Sequence, residues 1–172
     1  MSGYPKKLLV AAAGAAIFWT IFTFARHLHF YTQAWDMGIF DQLFWNTVNG
    51  KFMQGSLEEI PHHFGIHFSP TLLLLVPFYA IFQSPYTLLF LQTVALISGV
   101  FPLFEIAKRK SSDPFPAIFA GAYLLSPSLH WINTWDFHEI AFYIPLFLFA
   151  WNFMEAGYLQ MAGIFFALAA GT

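Results

Sequence analysis

Residues 70–83 read PTLLLLVPFYAIFQ, and whether they cross a membrane decides how the rest of the chain is arranged. The stretch is apolar but short, and Pro77 in its middle lacks the N–H that a continuous helix needs. A crossing takes roughly 20 residues at about 1.5 Å rise each. Length and proline together are more typical of an interfacial or re-entrant helix than of a crossing.

The membrane itself follows from composition. The chain is 58% hydrophobic and 21% aromatic with only 9% charged residues, a balance that does not describe a soluble domain. Residues 8–25 form an uncharged apolar run behind Lys6 and Lys7. No small-residue cleavage site follows a short core, so the run reads as a retained first span and not a signal peptide. Residues 85–107 and 115–132 read as two further spans, 140–154 as a shorter fourth, and 158–172 as a fifth that falls short of full length. The chain is therefore expected to end inside a span, as a fragment would. The expected fold is all-α: a polytopic transmembrane helix bundle forming a single membrane domain. An outer loop, 26–84, carries interfacial helices at 38–49 and 70–83.

If 70–83 crossed, Lys108, Arg109 and Lys110 would lie outside. Kept at the interface, it leaves Lys6, Lys7, Lys108, Arg109 and Lys110, five of the seven basic residues, in the cytoplasm with the N-terminus. The same arrangement gathers His27, His29, His62, His63, His67, His130 and His138 at the outer face. Asp36, Asp41, Glu58, Glu59, Asp136 and Glu139 join them, with Trp35, Trp45, Trp131 and Trp135 at the interfacial level. The net charge of −2 says little about partners, no basic stripe points to nucleic acid, and the lipid bilayer is the partner expected. With no cysteine, disulfides and thiolate chemistry are excluded too.

Two acidic-aromatic clusters carry the chemistry: AWDMGIFDQLFW at 34–45 and NTWDFHE at 133–139. In the first, residues 38–49 place Ile39, Phe40, Leu43, Phe44, Thr47 and Val48 on one stripe, as an amphipathic helix on the bilayer would. Asp36 precedes it, and on local pattern alone reads as an N-cap. Residues 58–69, EEIPHHFGIHFS, are rich in proton-moving and metal-binding groups. Pro61, Gly65 and the Ser69-Pro70 pair argue for irregular backbone. His62 or His63, taken singly, reads as an interfacial loop histidine, whereas His67 stands at the junction with an apolar segment. In the second cluster Asp136 or Asn133 could cap the following helix. Asn133, Asp136, His138 and Glu139 together exceed what a cap requires, and such groups beside hydrocarbon are costly unless paired, metal-bound or facing water.

DMGIFDQLFWNTVNGKF (36–52), HFGIHFSPTLLLLVPFYAIFQSPYTLLFLQ (63–92) and WDFHEIAF (135–142) resemble the N-terminal part of a prokaryotic membrane family known as domain of unknown function 2079. That family is similar in layout to GT-C glycosyltransferases. The resemblance implies a multi-pass protein of the cell (inner) membrane that transfers a sugar from a polyprenyl-phosphate donor to an acceptor at the outer face. It implies that Asp36 and Asp136 are catalytic and that Asp41, Trp45, His138 and Glu139 contact substrate. His67 and His138 are the implied ligands of a divalent metal, magnesium or manganese for oxygen-rich ligands and zinc where histidine joins. The chain departs from mannosyltransferases in having Met37 after Asp36 where they carry a second acid. Phe68 stands where some relatives carry a basic residue. The alternative function is a transporter or flippase component with a proton or cation relay through Asp136, His138 and Glu139; a third is a scaffold whose aromatic loops bind partners.

Overall fold

The structure, a computed structural model, describes residues 4–172. It is all-α: among the described residues there is no strand, only an isolated bridge between Gln54 and His62. Helix α1, Lys6–Leu28, is 23 residues long, about 35 Å at 1.5 Å per residue. Val10, Ile17, Phe18, Ile21 and Phe22 stay exposed along it, the face a helix in lipid presents. The second long helix, Pro85–Lys110, spans 26 residues and consists of α4, Pro85–Ser98, and α5, Val100–Lys110. They join at Gly99, where a Cβ would overlap the Tyr123 hydroxyl that donates to the Leu96 carbonyl. Pro102, without an N–H for the Ser98 carbonyl, weakens the same turn.

These two helices are long and apolar enough to cross a membrane; the five spans expected from sequence are not matched by five such helices. Residues 115–132 form not one continuous helix but parts of two, α6 at Phe115–Leu124 and α7 at Pro127–Trp135. The break has a local cause: Pro127 cannot donate to the preceding turn and holds Ser126 in extended backbone. Residues 140–154 begin as a 3-10 turn, Glu139–Phe142, before α8, Tyr143–Glu155. Helix α9, Leu159–Ala170, packs along α8. Each of α6 to α9 is shorter than a lone crossing requires.

Residues 70–83 form a 3-10 turn, Pro70–Leu74, and a six-residue helix α3, Val76–Ile81. At about 9 Å, α3 is far shorter than the roughly 30 Å hydrocarbon core. Helix α2 runs Ala34–Val48, four residues earlier than the pattern suggested. Asp36 thus lies inside its first turn and is not its N-cap; Gln33 holds that position with no side-chain cap bond. Nor does α2 rest its stripe on lipid. Met37, Phe40, Leu43 and Phe44 are buried against Tyr79, Leu88 and Phe137 in the larger of two apolar clusters.

The long helices are antiparallel. Tyr4, just before α1, meets Phe101, with ring centroids 4.9 Å apart, while Phe24 and His27 near its other end meet Tyr86 at 4.8 and 5.0 Å. Lys6 and Lys7 therefore share one end of the molecule with Lys108, Arg109 and Lys110, and the chain between the long helices leaves from and returns to the opposite end. At the basic end Lys110 Nζ pairs with Glu155 at 2.7 Å and Arg109 donates to Asn152 Oδ1 at 2.6 Å.

Candidate functional site: an acidic cleft backed by a buried polar cluster

The middle of helix α4 carries a polar pair, Gln92 and Thr93, both fully buried. Gln92 Nε2 donates to the Asp136 carbonyl at 2.7 Å, and its Oε1 accepts from the His138 N–H at 2.8 Å. Thr93 donates to Asn133 Oδ1 at 2.9 Å. One side chain thus satisfies two backbone groups of an extended segment that no ladder supports. Side chains alternate along extended backbone, so Phe137 goes inward, fully buried against Phe40, Phe44 and Phe142. Asp136 and His138 take the other side.

Asp136 is 1% exposed, and its Oδ2 accepts the Gln33 N–H at 2.8 Å. That bond fastens the residue before α2 to the 136–139 segment and brings Asp36, one turn on, against His138. Asp36 Oδ2 stands 3.8 Å from His138 Nε2, an ion-pair separation and too long for a direct hydrogen bond. The Asp36 and His138 side chains are 25% and 31% exposed, so both remain reachable.

They open onto a cleft of about 460 Å³. Trp35, Asp36 and Phe40 line it from α2, Glu58, Glu59, His63 and His67 from the loop, and His138 and Glu139 from the segment before α8. Four carboxylates and three imidazoles stand on this wall with no lysine or arginine. Such a wall attracts donors and cations and repels a bare anion. Among the described residues, no group of three or more His, Asp or Glu side chains is arranged to hold a metal ion. His67 and His138 both line the cleft but are not part of such a set.

Of the other expected site residues, Glu139 lines the cleft, and one of its carboxylate oxygens is buried without a hydrogen-bond partner. Asp136 lies behind the wall, holding α2. Asp41 faces away from the cleft; it accepts from Tyr79 Oη at 2.6 Å, a bond joining α2 to α3, and borders a second hollow with His27 and Gln33. Burial raises the Asp41 pKa, while the Tyr79 bond and His27 pull it down. Trp45 is half exposed on α2 and outside the cleft lining. Not foreseen from the sequence are the roles of Gln33 and Gln92 and the pairing of His63 with Glu58, whose atoms lie 2.8 Å apart.

Burial pushes the Asp136 pKa from 3.8 up to about 6; the Gln33 N–H opposes the shift, Asp36 adds to it, and His138 and Arg26 reduce it. The two aspartates therefore sense one another. Because the folded-state value lies above the unfolded one, the folded protein binds this proton more tightly. Asp136 lowers stability as pH rises from 3.8 towards about 6, and its effect is constant above that. Infrared difference spectroscopy should show a protonated carboxyl band that titrates near pH 6 and disappears in Asp136→Asn. Titration at an ordinary carboxylate value would contradict the buried placement.

An all-helical chain with lipid-length apolar helices and a polar cluster at one end of them defines a helical membrane protein. More particularly, residues 26–169 match the family model described as Predicted membrane protein (DUF2079), and the chain belongs to that family. No curated protein and no solved structure matches it.

Proposed function

We propose that the cleft is a sugar site at the outer face of a prokaryotic cell membrane, and that the protein transfers the sugar from a polyprenyl-phosphate donor as a GT-C-type glycosyltransferase. The observation that carries this reading is the Asp36 carboxylate beside His138 on the wall of an acidic, aromatic-lined cleft. Such a donor has its tail in lipid and its phosphate at the interface, so transfer must occur at the end of the helices where this cleft lies. The acceptor hydroxyl oxygen bonds to the anomeric carbon, the bond from that carbon to the phosphate oxygen breaks, and the electron pair leaves with the phosphate. Asp36 takes the hydroxyl proton.

The acidic wall suits the sugar and acceptor, not the phosphate. Arg26, whose charge Asp136 feels, lies outside the cleft lining and donates from Nη2 to the Tyr31 carbonyl at 3.0 Å. A divalent cation would supply charge neutralisation to a departing phosphate, but with no ligand set among the described residues none is given a role.

The outer placement draws on the antiparallel long helices and the five basic residues at their far end, which the positive-inside bias puts in the cytoplasm. Because the chain has no cysteine, Arg109→Cys and Lys51→Cys provide a clean pair of probes. In intact cells an impermeant thiol reagent should label position 51 and spare position 109. Ready labelling at 109 would invert the topology. The activity itself is tested by giving the reconstituted protein a polyprenyl-phosphate donor with a radiolabelled sugar. Loss of label from the lipid to an acceptor supports transfer; translocation of an intact donor between leaflets would identify a flippase component instead.

A further inference from the structure

We propose that His63 is a ligand-binding residue of the cleft, its Nε2 lone pair held ready to accept a hydrogen bond from a hydroxyl group of the bound molecule. Its Nδ1 lies 2.8 Å from Glu58 Oε1 and 3.1 Å from Oε2. A neutral imidazole carries one N–H and an ionised carboxylate can only accept, so Glu58 fixes that proton on Nδ1 and leaves Nε2 bare. The arrangement is dry: the His63 and Glu58 side chains are 1% and 7% exposed, and the Phe40 and Phe64 rings neighbour the imidazole.

His63 Nε2 is buried with no hydrogen-bond partner in the protein, although His63 lines the cleft. Buried polar atoms are almost always satisfied, and with Nδ1 committed, the acceptor lone pair is what this ring has left to offer. Glu139 Oε2, on a residue of the same cleft, is a second buried acceptor without a donor. Two unsatisfied acceptors beside an acidic wall call for an occupant that donates. A cation bound at Nε2 would need further ligands, and no set of three is present among the described residues. Hydroxyl groups donate without that requirement, and the exposed Trp35 ring on the same wall gives the C–H face of a sugar an apolar surface.

The assignment rests on the cleft being the sugar site of the proposed function, but needs no transfer step; a protein that only binds or moves a sugar lipid would use His63 in the same way. It is tested on the whole chain in lipid nanodiscs, labelled with nitrogen-15 at histidine, with the His63 signals assigned by their loss in His63→Gln. The His63 spectrum is expected to show a protonated Nδ1 and a bare Nε2. Octyl β-glucoside, below its micelle concentration, should shift the Nε2 resonance in the direction of hydrogen bonding; octyltrimethylammonium, which has no donor, should not. His63→Phe should weaken octyl glucoside binding by roughly 3- to 10-fold, as loss of one hydrogen bond would, and Glu58→Leu should release the tautomer and reduce the shift. Should either variant misfold, the wild-type tautomer and shift still decide. An Nε2–H tautomer, an unmoved Nε2 at saturating octyl glucoside, or a response to zinc chloride alone would each overturn the assignment. None of these outcomes depends on turnover, so a null transfer assay and a null binding result remain distinguishable.

Discussion

Replacing Asp36 with asparagine should lower sugar transfer by about 10²- to 10⁴-fold, the usual worth of general-base catalysis, while the protein still inserts and folds. Asparagine keeps the size of the side chain and part of its hydrogen-bonding capacity, but cannot take a proton. The structural contribution of Asp36 is small. It is not the N-cap of α2; that position belongs to Gln33, whose N–H is held by Asp136 across the fold. As an acidic residue in the first turn, Asp36 contributes through the helix dipole, worth about 0.3–1 kcal/mol at an exposed site. A change of that size moves a melting curve slightly and leaves most molecules folded. Transfer from a labelled polyprenyl-phosphate donor and thermal unfolding, measured on one preparation, separate the two effects. Near-normal transfer by Asp36→Asn would assign the residue to helix stability and remove the proton acceptor from the proposed mechanism.

The features that were legible in the sequence are those that depend on local pattern. The long apolar runs announce α1 and Pro85–Lys110 because each carries enough consecutive apolar residues to be recognised alone. The break at Ser126-Pro127 was visible in principle, since proline at a helix start is a local signal, but the hydrophobicity on both sides hides it. Helix α2 was misplaced at its start because the bond defining that end comes from Asp136, more than a hundred residues away. The same reason hid the division of labour between the two aspartates: local pattern reads Asp36 as a cap and Asp136 as costly near hydrocarbon, but does not show that the first faces a cleft while the second holds a backbone N–H. In the sequence His63 reads, like His62, as an interfacial loop histidine, and it is His67 that stands apart. Only burial with Glu58 separates His63 from exposed His62 and His67. Gln92 did leave a trace, an amide within a long hydrophobic run, where a polar group demands a partner.

That amide is where the second large effect is expected: Gln92→Leu should destabilise the protein by about 2–6 kcal/mol, since it strands two buried backbone groups at roughly 1–3 kcal/mol each. Leucine fills a similar volume, so a cavity contributes little. What is lost is the donor to the Asp136 carbonyl and the acceptor for the His138 N–H, at 2.7 and 2.8 Å from a side chain with no solvent exposure. Gln92→Glu refines the test. A glutamate still accepts from the His138 N–H, and when protonated it can also donate to the Asp136 carbonyl; when ionised it meets that carbonyl with a buried negative charge. Its stability should therefore approach wild type at low pH and fall as pH rises, whereas the deficit of Gln92→Leu should remain at all pH values. Denaturant unfolding in detergent at two pH values, with hydrogen exchange at the His138 amide, reads both. If Gln92→Leu unfolded within about 0.5 kcal/mol of wild type, the size of an ordinary surface substitution, the 136–139 segment would be held by Phe137 packing alone, and the geometry joining Asp36 to His138 would not depend on α4.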